Sequence, residues 1–275
     1  DTLRKNELDE ILANAAAVGY PDPMVIDCAD RFIPAMPAAG THSEAKRKTF
    51  QRLYADEFAR VAAQPGAVWV IQGTLNTDLI ESGLRGGAVI KTHHNTGLLI
   101  PILPEHPHAA RLREAGHEHL PQLHPLHELF KYEVEALART LKLPESIVER
   151  EPFPGPGLFC RIFGIPVTPE LIETVQWSDY EIHGIIREAG LSKLASQLVV
   201  ALDGSRTTGV KGDARAYGHT IFYRGLRTAD FMTGYGVEYP VEVRRRIRRT
   251  VTKHPLIVRA VPDENDKPPA TTEFE

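Results

Sequence analysis

Residues 67–71 read AVWVI, a continuous apolar run, and the polar-rich stretch QGTLNTDLIES (72–82) follows it directly. A strand with one wet face alternates apolar and polar residues, whereas an unbroken run suits a parallel strand covered on both faces. The flanking segments agree with this reading. Leu8, Ile11, Leu12 and Ala15 recur at helical spacing until Gly19 and Pro21 end the pattern. MVID (24–27) reads as a short strand, and Ser43 opens a helix with Phe50, Leu53, Tyr54, Phe58 and Val61 on one side. GAVIKT (87–92) reads as a further strand. Helices alternating with strands predict an α/β layer built on a parallel sheet. Ligands of such sheets sit beyond the carboxyl ends of the strands, and two polar clusters fall there: 72–82 and KTHHNTG (91–97).

Residues 126–141 predict an amphipathic helix, and Pro144 starts a short second one. FPGPGL (153–158) then breaks the pattern with two prolines and two glycines, which places a domain boundary near residue 150. Beyond it, Thr168 and Pro169 open a helix that runs to Gly190. QLVVAL (197–202) and HTIFYRGL (219–226) read as strands, with DGSR (203–206) as the turn after the first. A helix through Val243, Ile247 and Val251 and a strand PLIVRAV (255–261) complete a small α+β unit.

A net charge of −4 gives no global basic field, so nucleic acid is not an expected partner. The arginines at 244, 245, 246, 248 and 249 lack interleaved aromatics and read as a solvated or interfacial helix face. Cys28 and Cys160 make no disulfide framework and suit a reducing, cytoplasmic setting. No apolar run approaches the ~20 residues of a membrane span.

Eight of the twelve histidines lie between His93 and His127. His106/His108 and His117/His119 form a loose His-x-His pattern without a cysteine or carboxylate frame, which favours a solvated, mobile loop over a metal site. Lys91, His93 and His94 end a strand, where a cation and two switchable donors suit an anion or a surface turn equally. Asp78 and Glu81, one helical turn apart, suit either Mg²⁺ or a solvated helix face. Lys211, Asp213 and Arg215 sit on a glycine turn, GVKGDARAY (209–217), that is either a polar hairpin or a backbone approach to a ligand.

Taken together, LRKNE (3–7), EAKRK (44–48), QGTLNTDLIES, IKTHHN (90–95), LHELFKYEVEALARTLKLPESIVER (126–150), PFPGPGL (152–158), GVKGDARAY, DFMTG (230–234) and DKPPATTEFE (266–275) resemble the GMP synthetase family, the glutamine-hydrolysing purine enzymes. The resemblance implies an N-terminally incomplete ATP-pyrophosphatase domain of adenine nucleotide alpha hydrolase type over residues 1–150. It implies a small α+β dimerisation and xanthosine monophosphate (XMP) domain over 151–275. The implied chemistry adenylylates XMP with ATP, then displaces AMP with ammonia supplied by a glutaminase domain. Carried over by motif, Asp78, Glu81, Lys91, His93 and His94 belong to the catalytic lid, with Asp78 and Glu81 as Mg²⁺ ligands and Gly73 and Lys91 toward ATP. Arg47, Gln197, Asp213, Lys267 and Glu273 are implied XMP contacts. The family's Ser-Gly-Gly-x-Asp-Ser phosphate loop and its glutaminase domain are absent from these 275 residues, and Glu151 replaces a family histidine. The chain is therefore expected to be the C-terminal part of a homodimeric synthetase, the other reading being a non-catalytic purine-nucleotide-binding relative.

Overall fold

The computed structural model describes residues 2–90 and 93–274. It is α/β, with helices α1 (Glu7–Ala17), α2 (Ala29–Ala35), α3 (Ser43–Ala63), α4 (Asn76–Glu81), α5 (Ala109–Glu114), α6 (Lys131–Thr140), α7 (Glu145–Val148), α8 (Pro169–Glu188) and α9 (Val241–Val251). Its strands are β1 (Val70–Ile71), β2 (Gln122–Leu123), β3 (Ile162–Phe163), β4 (Gln197–Lys211), β5 (Ala214–Arg227), β6 (Tyr235–Gly236) and β7 (Ile257–Pro262). The chain divides into two compact units, residues 47–134 and residues 1–46 with 135–275.

In the 47–134 unit, β1 and β2 pair in parallel, Val70 opposite Gln122 and Ile71 opposite Leu123. The core gathers Ala55, Ala59 and Ala62 of α3 with Val70, Leu98, Ile100, Ile102, Leu112 and Leu120. The strand expected over 67–71 shrinks to two residues, and it is not covered on both faces: Val70 is buried, but Trp69 and Ile71 are 57% and 69% exposed. No strand forms over 87–90, where Val89 and Ile90 are exposed. The histidine-rich segment is packed rather than solvated throughout. Residues 93–127 supply Leu98, Ile100, Ile102, Ala109, Leu112 and Leu120 to this core, and His106 is buried, its Nε2 3.0 Å from the Ala67 carbonyl and its Nδ1 accepting from His108 N–H. Among the described residues no group of three or more His, Cys, Asp or Glu is arranged to hold a metal ion.

The other unit centres on a five-stranded mixed sheet. β4 and β5 form a long antiparallel hairpin, with β3 parallel to β4, β6 antiparallel to β5 and β7 parallel to β5. α8 and α9 pack on it, and Val175, Ile182, Val199, Leu202, Ile221, Ile247, Val251 and Ile257 are fully buried. Thr168 caps α8, its Oγ1 accepting from Leu171 N–H at 3.3 Å. DGSR does not turn the chain. β4 continues through it with a bulge between Asp203 and Arg206, and Gly204 lies so close to Ile165 that a Cβ there would fall 2.4 Å from the isoleucine Cβ. MVID is no strand either: without a neighbouring strand to supply a ladder its side chains stay exposed, and Asp27 instead accepts from Ala29 N–H to start α2. In α1 the buried side chain is Glu7 rather than the apolar stripe, because it accepts from Arg4 N–H at 2.9 Å and pairs with Arg150 at 2.7 Å.

Candidate functional site

Two clusters hold most of the residues singled out above. The first lies at the carboxyl ends of the parallel pair β1–β2. Gln72 N–H donates to Leu123 O, and past that point the chains diverge into Gly73–Thr74 and His124. Thr74 is buried, its Oγ1 2.8 Å from His124 Nδ1 and accepting from Asn95 Nδ2 at 3.1 Å. A Cβ at Gly73 would meet nothing within 4 Å, so the turn leaves open space beside the strand end. α4 then presents Asp78 and Glu81 one turn apart, as the i, i+3 spacing requires.

Both carboxylates converge on one imidazole. His93 Nδ1 lies 3.0 Å from Asp78 Oδ1, and His93 Nε2 lies 3.0 Å from Glu81 Oε2. Asp78 Oδ2 accepts from Leu75 N–H at 3.0 Å and from Asn95 at 3.5 Å. Burial pushes the Asp78 carboxyl upward, but the His93 hydrogen bond and charge, with the Leu75 and Asn95 donors, hold it below the ordinary carboxylate range. Gln51 fixes the following turn by donating to the carbonyls of His93 at 3.1 Å and Thr96 at 2.9 Å. His94 points the other way, edge-on to Tyr54 at 5.2 Å and Phe50 at 6.1 Å, and burial drops its pKa to about 4. It is therefore neutral near pH 7 and offers a hydrogen bond rather than a charge. Lys91 lies outside the described residues. Because His93 already spans Asp78 and Glu81, a Mg²⁺ ion held by this pair would have to displace the ring, and the arrangement does not fit a metal site as it stands.

The second cluster is the C-terminal segment. Lys267 pairs through its backbone with Gly234, and its Nζ donates to Phe231 O at 2.5 Å and Thr272 Oγ1 at 3.2 Å. Arg224 donates to Thr271 O and Asp263, and its guanidinium lies 4.9 Å over the Phe274 ring. Phe274 stacks on Phe163 at 5.9 Å and 14°. Glu273 is buried, with Oε2 2.8 Å from Arg161 Nε. Gln197 is buried at the start of β4 and donates to Pro152 O at 3.1 Å.

Lys267 and Glu273 thus fall in one docked segment, as Asp78, Glu81 and His93 fall in one triad. Asp213 stands apart from Gln197: it is exposed at the hairpin tip, at the far end of the 15-residue β4. That is roughly 45 Å along a strand rising ~3.3 Å per residue. Arg47 is a buried residue of α3 in the 47–134 unit. Sequence reasoning passed over Thr74, Asn95 and His124, although the first two lie inside the QGT and THHN motifs. It also passed over Arg161, whose signal was a lone cation inside the apolar run LFCRIF (158–163).

A third, internal network lies beside Phe153. His183 Nε2 is 3.2 Å from Glu151 Oε2, and its Nδ1 is 3.3 Å from Asp179 Oδ2. Arg4 stands 3.7 Å from Asp179 and 3.5 Å from Glu151. Burial disfavours the imidazolium, yet Asp179 and Glu151 together raise the His183 pKa to about 10.

Residues 184–274 match the family model described as the GMP synthase C terminal domain. Over nearly its whole length the chain is similar to proteins named GMP synthase [glutamine-hydrolyzing]. The one from Phenylobacterium zucineum is 41% identical over 279 residues, covering 99% of this chain and 50% of the relative. That of Gibberella zeae is 40% identical over 288 residues, covering 99% and 51%. That of Aeropyrum pernix is 35% identical over 273 residues, covering 98% and 50%. The chain spans about half the length of the curated relatives it matches.

Proposed function

We propose that this chain, a relative of the glutamine-hydrolysing GMP synthases whose residues 184–274 carry that family's C-terminal domain, serves the amination of XMP to GMP. The likeness to GMP synthases along 98–99% of the chain carries the reading. In the proposed reaction the C2 oxygen of XMP attacks the α-phosphorus of ATP and pyrophosphate leaves. Ammonia released from glutamine then attacks C2, and AMP departs with the oxygen. We assign residues 1–150 to the ATP-pyrophosphatase part and 151–275 to the part that binds XMP and dimerises, in the cytoplasm.

The residue roles follow from their chemistry. His93, engaged through both ring nitrogens, ties the carboxylates of Asp78 and Glu81 together beside the strand ends and so holds the lid in one arrangement. Gly73 and Lys91 are assigned to ATP, Gly73 because its open turn lets backbone approach a phosphate. Mg²⁺ would reach the site as the nucleotide's own counter-ion, consistent with its preference for phosphate oxygens and water. Lys267, Glu273, Gln197 and Arg47 are assigned to XMP. Asp213 lies a strand length from Gln197, which favours a homodimer in which the hairpin tip serves a site on the second copy.

The test is pyrophosphate release with ATP, XMP and free ammonium, using this chain joined to a polypeptide that carries the family's phosphate loop. Turnover that requires XMP and falls at least tenfold in Asp78→Ala is expected. XMP-independent ATP hydrolysis, or unchanged turnover in that variant, would refute the assignment.

A further inference from the structure

We propose that Arg161 is a positioning residue that clamps the carboxylate of Glu273 and so holds the C-terminal segment ready for substrate; its link to substrate rests on the reading of Lys267 and Glu273 as XMP contacts.

Arg161 sits in the short 3₁₀ turn Gly157–Arg161, directly after the PFPGPGL motif and before β3. Its side chain is 0% exposed, the largest fully buried side chain in the protein among the described residues. Arginine is almost never buried without a counter-charge. Here the counter-charge is Glu273, with Nε 2.8 Å from Oε2. The N–H bonds are not aimed at that oxygen, however. Nε, Nη1 and Nη2 are all buried without a hydrogen-bond partner, and so is Glu273 Oε2. Charge therefore joins the two groups, while the directional capacity of the guanidinium and of Glu273 Oε2 is unspent.

Besides Glu273, the surroundings of the guanidinium supply one aromatic ring and the more distant charge of Asp179. Its Cζ lies 5.8 Å from the Phe153 ring, which Arg4 also covers at 4.5 Å. Arg4 is balanced by Asp179 and Glu151, which leaves Glu273 as the carboxylate in direct contact with Arg161. The rest of the segment is tied by Arg224 to Thr271 O, by Phe274 on Phe163 and by Lys267 on Phe231 O. Asp179 also lies within electrostatic reach of Arg161, but without Glu273 the guanidinium loses the carboxylate that stands 2.8 Å from its Nε, and separating one partner from a buried charge pair is unfavourable. The docked tail is thus the state that this buried cation selects, and it fixes where Glu273 stands relative to Lys267.

A ligand-free and a ligand-bound measurement separate this inference from the functional reading. In the full chain without ligand, hydrogen exchange at the amides of 270–274 should be slow in the wild type and at least tenfold faster in Arg161→Met, with Arg161→Lys between them. Calorimetry with XMP should show roughly 100-fold weaker binding in Arg161→Met, the scale set by breaking a buried charge pair. Glu273→Gln should lose a similar amount, and the double variant no more than either single one, since one clamp is removed once. A merely structural role would lower the melting temperature but leave the two affinity losses additive. Additive losses, or unchanged exchange at 270–274 in both Arg161 variants, would overturn the clamp. Should the wild type bind no XMP, the functional reading fails, while the exchange measurement still decides whether Arg161 docks the tail.

Discussion

Replacing His183 by leucine should destabilise the protein by roughly 3–5 kcal/mol at neutral pH, the usual cost of removing one partner from a buried ion pair. The rise of the His183 pKa from 6.5 to about 10, caused by Asp179 and Glu151, has the same sign: the folded state favours the charged ring. Leucine fills a similar volume, so the loss is electrostatic: Asp179, whose side chain is 4% exposed, loses its nearest cation and keeps Arg4 at 3.7 Å and the charge of Arg161. The pH dependence identifies the cause. The folded-state pKa lies above the unfolded one, so the folded state binds the extra proton, and its contribution is complete below pH 6.5. It declines as pH rises from 6.5 and is gone above about 10. Urea unfolding of wild type and His183→Leu at pH 6, 8 and 10 measures the difference. A gap that shrinks steadily across that series is expected. A loss under ~1 kcal/mol at pH 6, or a gap independent of pH, would refute the reasoning.

His94 behaves in the opposite sense: its pKa falls from 6.5 to about 4, so stability is lost as pH drops through that window. His94→Phe, in the same aromatic setting, should remove up to roughly 3 kcal/mol of acid sensitivity in urea unfolding between pH 7 and 4. His93→Gln should raise the Asp78 carboxyl pKa toward its ordinary value, read by carboxyl-carbon NMR during acid titration. Sedimentation should find a dimer at tens of micromolar, and Asp213→Ala should weaken XMP binding while leaving the dimer intact. A monomer at that concentration would remove the reason for assigning Asp213 to the site.

Elements whose pattern reflects packing within their own segment could be read from the sequence. Val243, Ile247 and Val251 are the buried residues of α9, and Thr168 caps α8 as its position before Pro169 suggests. Elements that depend on a partner strand could not. MVID and 87–90 have strand-like composition, but the ladder that would make them strands is missing among the described residues. DGSR has turn composition, yet pairing with β5 carries β4 straight through it as a bulge. The carboxylate pair Asp78 and Glu81 was visible as an i, i+3 spacing. That His93 joins the two was not, because the chain has already returned to α4 at Ile90, whose N–H donates to Glu81 O, and local spacing does not encode that return. Arg161 was hidden for the same reason, its partner Glu273 being far away in sequence, whereas Asp179 and His183 stand i, i+4 on α8 and only their links to Arg4 and Glu151 needed the fold.

Lys267 bears most directly on the proposal that this chain binds XMP through its C-terminal segment. Isothermal titration of the full chain with XMP should give saturable binding at one site per chain. Lys267→Ala should weaken it roughly tenfold or more, the scale of a charge-assisted hydrogen bond worth ~1.5–3 kcal/mol. No saturable heat with XMP, or equal affinities for wild type and Lys267→Ala, would contradict it.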